Sequence, residues 1–154
     1  MIRLRPAEAA DLEVLARIWY ERAVLAPKPR GMALLPDARL RWQTAARVWL
    51  DAPDHWVLVA QAEGGMAGFA AGRLTDGPVG FAPERAGEVL GLALDGHAYH
   101  GGAGRLLAHG LFDWFRLHEV AHVLLFLPHA SPVEQAFWRA LHAEVWSDGL
   151  WLTL

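Results

Sequence analysis

The chain has 154 residues, 54% of them apolar and 20% charged, which suits one compact domain with a substantial core and excludes a disordered chain. Fourteen basic against seventeen acidic residues leave a net charge of −3, so no strong nucleic-acid-binding field is expected. Cysteine is absent, which removes disulfides, thiol nucleophiles and cysteine-ligated zinc together.

Ile2 to Arg5 alternates apolar and basic and reads as a first strand ending at Pro6. Asp11 is placed to cap a helix that carries Leu12, Leu15, Ala16, Trp19 and Ala23 on one face and stops before Pro27. Ala26 to Pro36 is a connection punctuated by proline and glycine. Asp37 then caps a second helix with Trp42, Ala45, Ala46 and Trp49 in register, ending near Pro53. Strands Trp56 to Ala62 and Met66 to Leu74 are joined by Glu63-Gly64-Gly65, a hairpin signal. Thr75 to Ala86 is a loop.

The stretch from Glu88 to His118 carries the strongest pattern. Val89 to Leu94 is an apolar run of strand length, closed by Asp95-Gly96. Gly101, Gly102 and Gly104 crowd the turn that follows, and Leu107, Gly110, Leu111, Trp114 and Phe115 then recur at helical spacing. The first N–H groups of a helix lack partners and carry the positive end of its dipole. Glycines let a phosphate reach those donors, so the turn is suited to an anion such as pyrophosphate; glycines that only permit tight packing are the plain alternative. Two phosphate motifs are excluded. The only lysine is Lys28, so there is no P-loop, and there is no GxGxxG with an acidic ribose ligand beyond it.

His122 to Leu127 is a further apolar strand, stopped by Pro128. Ser131-Pro132-Val133-Glu134 has the capping-box pattern, opening a helix expected to bury Val133, Ala136, Phe137, Ala140 and Leu141. Glu144 to Leu154 closes with two short strands around Ser147-Asp148-Gly149. His118-Glu119-Val120-Ala121-His122 matches the HExxH zinc signature. That chemistry needs both histidines on one helix face, whereas Val123 to Leu127 is strand-like, so no metal site is expected.

Leu92-Ala93-Leu94, then a loop, then Gly102-Ala103-Gly104-Arg105-Leu106-Leu107 resembles the acetyl-CoA motif of the GNAT superfamily of N-acyltransferases, a strand followed by [QR]-x-x-G-x-[GA] and a helix. Tyr99 stands where that family usually has Gln or Arg, with His100 one residue on. The opening IRLRPAEAADLEVLARIW is similar to the family's first strand and helix, and SPVEQAFWRALHAE to its later helix, with Trp138 at the usual tyrosine position. The order β-α-α-β-β-β-α-β-α-β-β also matches. The resemblance implies a single α/β domain over residues 1–154, a mixed central sheet of six to seven strands with about four helices.

The resemblance further implies that the backbone at Leu92, Ala93 and Leu94 pairs with the pantetheine arm of acetyl-CoA. The backbone N–H groups of His100, Gly101, Gly102, Ala103, Gly104 and Arg105 would hold its pyrophosphate, and Tyr99, at the family's Gln or Arg position, is counted among the co-substrate contacts. Ser131 stands where the family's asparagine contacts the co-substrate, though capping its own helix is the simpler role. Glu88 stands where several members, notably the histone-acetylating ones, carry a catalytic glutamate; a solvated strand-end residue is the plain alternative. Asp95, His97 and His129 are weaker candidate bases at strand ends, and Trp19, Trp42 or Trp49 are candidates to line the acceptor site.

The expected activity is transfer of an acetyl group from acetyl-CoA to a primary amine, on a small molecule or a peptide, by direct attack in a ternary complex. No cysteine exists to carry an acyl-enzyme. A CoA-binding module of the same fold without turnover is the alternative. A homodimer is a family expectation; neither a nucleic acid nor a membrane partner is expected. No apolar run approaches the ~20 residues of a membrane helix. The N-terminus turns acidic too early for a secretory signal, so a cytoplasmic location is expected.

Overall fold

The structure, a computed structural model, describes residues 1–96 and 101–154. Strand β1 (Arg3–Pro6) leads through a 3₁₀ turn (Ala9–Asp11) into α1 (Leu12–Leu25) and α2 (Ala38–Asp51). Strands β2 (His55–Ala62), β3 (Gly65–Asp76) and β4 (Arg85–Leu94) follow, then α3 (Ala103–Leu117), β5 (Val123–Leu125) and α4 (Pro132–Arg139). The strands form one sheet in the order β1-β2-β3-β4-β5. The first three pairings are antiparallel and β4 pairs with β5 in parallel, the crossover being made by α3.

The central strands are buried on both faces. Leu58, Ala60, Ala70 and Val89 pack against α3, whereas Val57, Val59, Phe69, Ala71 and Ala93 pack against α1 and α2. Such strands read as continuous apolar runs rather than as alternation, which is why β2 is legible as Val57-Leu58-Val59-Ala60. Helix α3 buries Leu107, Leu111, Trp114 and Phe115, each worth about 1.5–3 kcal/mol of transfer free energy. It approaches the sheet closely because Phe115 lies over two glycines. A Cβ built at Gly87 would stand 2.6 Å from the Phe115 ring, and one at Gly72 would stand 2.8 Å from it.

The C-terminus departs from expectation. Five strands are present among the described residues, not six to seven, because residues 144–154 join no ladder. A strand exists only through a paired neighbour, and here Trp146, Leu150 and Trp151 stay exposed. The β3–β4 connection departs in the other direction. Thr75 pairs with Ala86 and Asp76 with Arg85, so the ladder takes in both ends of the expected loop. Helix α4 stops at Arg139 and buries Trp138, whereas Val133 is exposed.

Capping is also done differently. Asp11, Asp37 and Ser131 occupy N-cap positions without a side-chain cap bond. Asp37 instead accepts from Arg41 at 2.8 Å. Asp11 accepts two bonds from Arg5, at 2.7 and 2.8 Å, and one from the Glu8 N–H at 2.8 Å, tying β1 to the start of α1. The Arg5 bonds, more than the Glu8 N–H, hold the Asp11 carboxyl below the usual carboxylate range against the opposing effect of its burial. A carboxyl depressed in the folded state stabilises fully above its unfolded value, near ~3.9, and that contribution is lost as pH falls through the folded value. Asp11→Asn is therefore expected to cost about 1–2 kcal/mol at pH 7, allowing for the part-exposed arginine. Chemical denaturation at pH 7 and pH 3 checks this: the gap between the two proteins should narrow in acid.

Candidate active site

Strands β4 and β5 part company after three pairs. Gly87, Glu88 and Val89 face Val123, Leu124 and Leu125, and there the parallel ladder ends. Strand β4 runs on to Leu94 with β3 on one side only. In the same place β4 carries a bulge: Ala71 pairs with Gly91 and Gly72 with Val89, leaving Leu90 unopposed. A bulge sharpens twist and re-aims side chains. Backbone groups of Leu90 to Leu94 that do not reach β3 thus face a gap instead of a strand.

The gap is the mouth of a cleft of about 410 Å³, within the range of small-molecule sites. Leu92, Leu94, Gly104, Phe137 and Trp138 line it from the α3 and α4 side. Trp19, Ala23, Phe69 and Leu90 line it from the α1 side, and Phe126 to Pro128 form its outer lip. The cleft therefore reaches both faces of the sheet through the opening between β4 and β5.

The N-terminus of α3 meets this cleft. Gly102 is the N-cap at φ +85°, a left-handed conformation that glycine adopts without strain, and no side chain caps the helix. Ala103 and Gly104 are buried in its first turn. A Cβ at Gly104 would sit 3.4 Å from the Phe137 ring and 3.7 Å from Leu94. Strand end, helix start and α4 therefore converge on a position that has no side chain of its own.

Ion pairs hold α1 as the cleft wall. Arg17 donates to Asp95 at the end of β4 at 2.9 Å and to Glu21 at 3.0 Å. Arg22 donates to Glu134 of α4 at 2.7 Å, across the cleft. Behind Trp19 stands an aromatic array. Trp19 stacks on Trp42 with centroids 5.5 Å apart and planes at 14°, and Trp42 meets Phe69 at 5.3 Å and Trp49 at 5.7 Å. Trp49 in turn stacks on His55 at 6.2 Å.

Of the residues singled out from sequence, Leu92, Ala93, Leu94 and Gly104 line the cleft. Gly101 and Arg105 are exposed at the start of α3. Ser131 caps α4 by position and does not line the cleft. Tyr99, His100 and His97 lie outside the described residues. Glu88 sits one residue before the lining begins, and its carboxylate accepts from Arg73 Nε at 2.5 Å. A solvated strand-end glutamate is therefore not what the structure contains. Asp95 is held by Arg17, and His129 is exposed in the turn before α4. Trp138 is buried against Phe137 and Phe112.

Helix α3 ends at Leu117, with His118 at its C-cap bonded to the Trp114 carbonyl and Glu119 at φ +60°. His118 and His122 thus share no helix face. Among the described residues no group of three His, Asp or Glu side chains is placed to hold a metal, and no helix is long and apolar enough to cross a membrane.

Sequence reasoning missed Arg73, the Arg22–Glu134 bridge and the bulge at Leu90. Arg73 has a signal in retrospect, since it stands opposite Glu88 in the hairpin register. Glu134 was masked by its capping-box position.

No protein-family model and no curated protein matches the sequence. Solved structures do match. A predicted acetyltransferase of Clostridium acetobutylicum, solved with acetyl-CoA, superposes with TM-score 0.79 at 14% identity, over 99% of this chain and 96% of that one. An aminoglycoside 6'-N-acetyltransferase of Acinetobacter haemolyticus gives 0.77 at 12%, over 99% and 97%. A ribosomal-protein-alanine N-acetyltransferase of Brucella melitensis biovar Abortus gives 0.71 at 19%, over 99% of both chains. The chain has the GNAT fold, with the expected mixed sheet and four helices and with five strands among the described residues in place of six to seven.

Proposed function

We propose that this chain, built on the GNAT fold, is an N-acetyltransferase that moves an acetyl group from acetyl-CoA to a primary amine in a ternary complex. The observation that carries the reading is the one-sided strand β4 from Leu90 to Leu94, open to the cleft where β5 diverges. Acetyl-CoA supplies an acetyl thioester, whose C–S bond is exchanged for a C–N bond with release of CoA as the thiol. Backbone N–H and C=O groups of Leu92 to Leu94 suit the amide groups of a pantetheine arm. The first N–H groups of α3, from Ala103 to Arg105, suit its pyrophosphate. Tyr99, His100, Gly101 and Gly102 belong to the same proposed cradle, and Ser131 is a further proposed contact.

The amine must lose a proton before it attacks. An alkyl ammonium titrates near ~10.4, so neutrality at pH 7 costs about 4–5 kcal/mol. Glu88 is the proposed acceptor of that proton, with Arg73 fixing its carboxylate and a water completing the path to the cleft. Tyr99 or water returns a proton to the thiolate, a small demand because thiols titrate near ~8.5. Holding both substrates in one cleft can supply roughly 7–11 kcal/mol of the barrier reduction, so the buried Trp138 in place of a tyrosine leaves transfer feasible.

The test is CoA release with acetyl-CoA over amino acids, simple amines, polyamines, aminoglycosides and peptides. Release that depends on an amine supports the reading. Acetyl-CoA binding without release for any amine would instead establish the CoA-binding module, the reading favoured by the buried Trp138.

A further inference from the structure

The acetyl-transfer reading leaves the acceptor open, and resting on that reading we infer that it is a primary amine carried on an apolar, aromatic body and not a polycation. The end of the cleft on the α1 side is lined by Trp19, Ala23, Ala26, Phe69 and Leu90. Among the described residues lining the cleft, the only charged side chains are Arg22 and Glu134, and they are bonded to each other at 2.7 Å.

A polyamine or an aminoglycoside carries several ammonium groups. Each one entering this lining gives up water, and the only carboxylate there is already engaged by Arg22. A monoamine has no further ammonium to bring in, because its single nitrogen is the one that must be neutral to react. An apolar surround also disfavours its charged form.

Trp19 offers a face on which an aromatic amine can rest. Its ring is held by stacking on Trp42, which is itself set against Phe69 and Trp49. A wall fixed before binding costs little ordering when a ligand ring is laid on it. On the neighbouring face Glu88 is engaged by Arg73 at 2.5 Å, and Asp54 lies 2.7 Å from the His55 ring.

The experiment is steady-state kinetics with acetyl-CoA and three amines: phenethylamine, n-propylamine and spermidine. Phenethylamine is expected to exceed spermidine in kcat/KM by about tenfold or more. Trp19→Ala should lower the ratio of kcat/KM for phenethylamine over n-propylamine by about tenfold, and Trp19→Phe should restore most of it. That ratio is insensitive to a general loss of folded protein, which depresses both amines together. Spermidine preferred over phenethylamine, or a ratio unmoved by Trp19→Ala, would overturn the inference and leave the acetyl-transfer reading standing. No turnover with any of the three, in a protein that also gives none across the wider screen, would overturn both.

Discussion

Replacing Gly104 with valine is expected to weaken acetyl-CoA binding about a hundredfold or more while leaving a folded protein. The position is in the first turn of α3 and in the cleft lining. A Cβ there meets the Phe137 ring and Leu94 at ordinary contact distance, so a methyl fits, whereas the two further methyls of valine are expected to extend into the cleft. They would stand between a phosphate and the N–H donors of the turn. Charge-assisted hydrogen bonds contribute roughly 1.5–3 kcal/mol each, so losing two accounts for the expected factor. Gly104→Ala should lose much less. Calorimetric titration of both variants, with melting temperature as the control for folding, decides the matter. Unchanged affinity in a folded Gly104→Val protein would remove the phosphate role of this turn.

Glu88→Gln has the largest expected effect on turnover, about 10²-fold or more near pH 7. Glutamine keeps an oxygen to accept from Arg73, so the contact across β3 and β4 persists in neutral form, and only proton acceptance is lost. Acetyl-CoA affinity should hold, because Glu88 lies outside the cleft lining. The deficit should shrink as pH rises toward the amine's own value near ~10.4, since solvent then supplies the neutral nucleophile. A structural role would depress activity equally at every pH and lower the melting temperature. Near-normal turnover at neutral pH would pass the role to another group or to water.

Much of the fold was legible because its elements carry their own periodicity. The α3 stripe of Leu107, Leu111, Trp114 and Phe115 and the doubly buried run Val57 to Ala60 both reflect which face each residue must hide. What was not legible depends on partners distant in sequence. The bulge at Leu90 exists only in the register between β3 and β4, and Arg73 matters only because that register sets it beside Glu88. The Arg22–Glu134 bridge joins residues 112 positions apart. Ser131-x-x-Glu134 obeys the local capping rule, yet tertiary pairing with Arg22 took its glutamate. Likewise Glu144 to Leu154 has strand-like composition without a strand beside it to complete a ladder.

The central claim is that the opening between β4 and β5 receives the acetyl thioester. A structure of this chain determined with acetyl-CoA tests it most directly. The account predicts pantetheine amides bonded to the backbone between Leu92 and Leu94, with the pyrophosphate at the first turn of α3 beside Gly104. Acetyl-CoA bound away from β4, or no bound acetyl-CoA at saturating concentration, would contradict it.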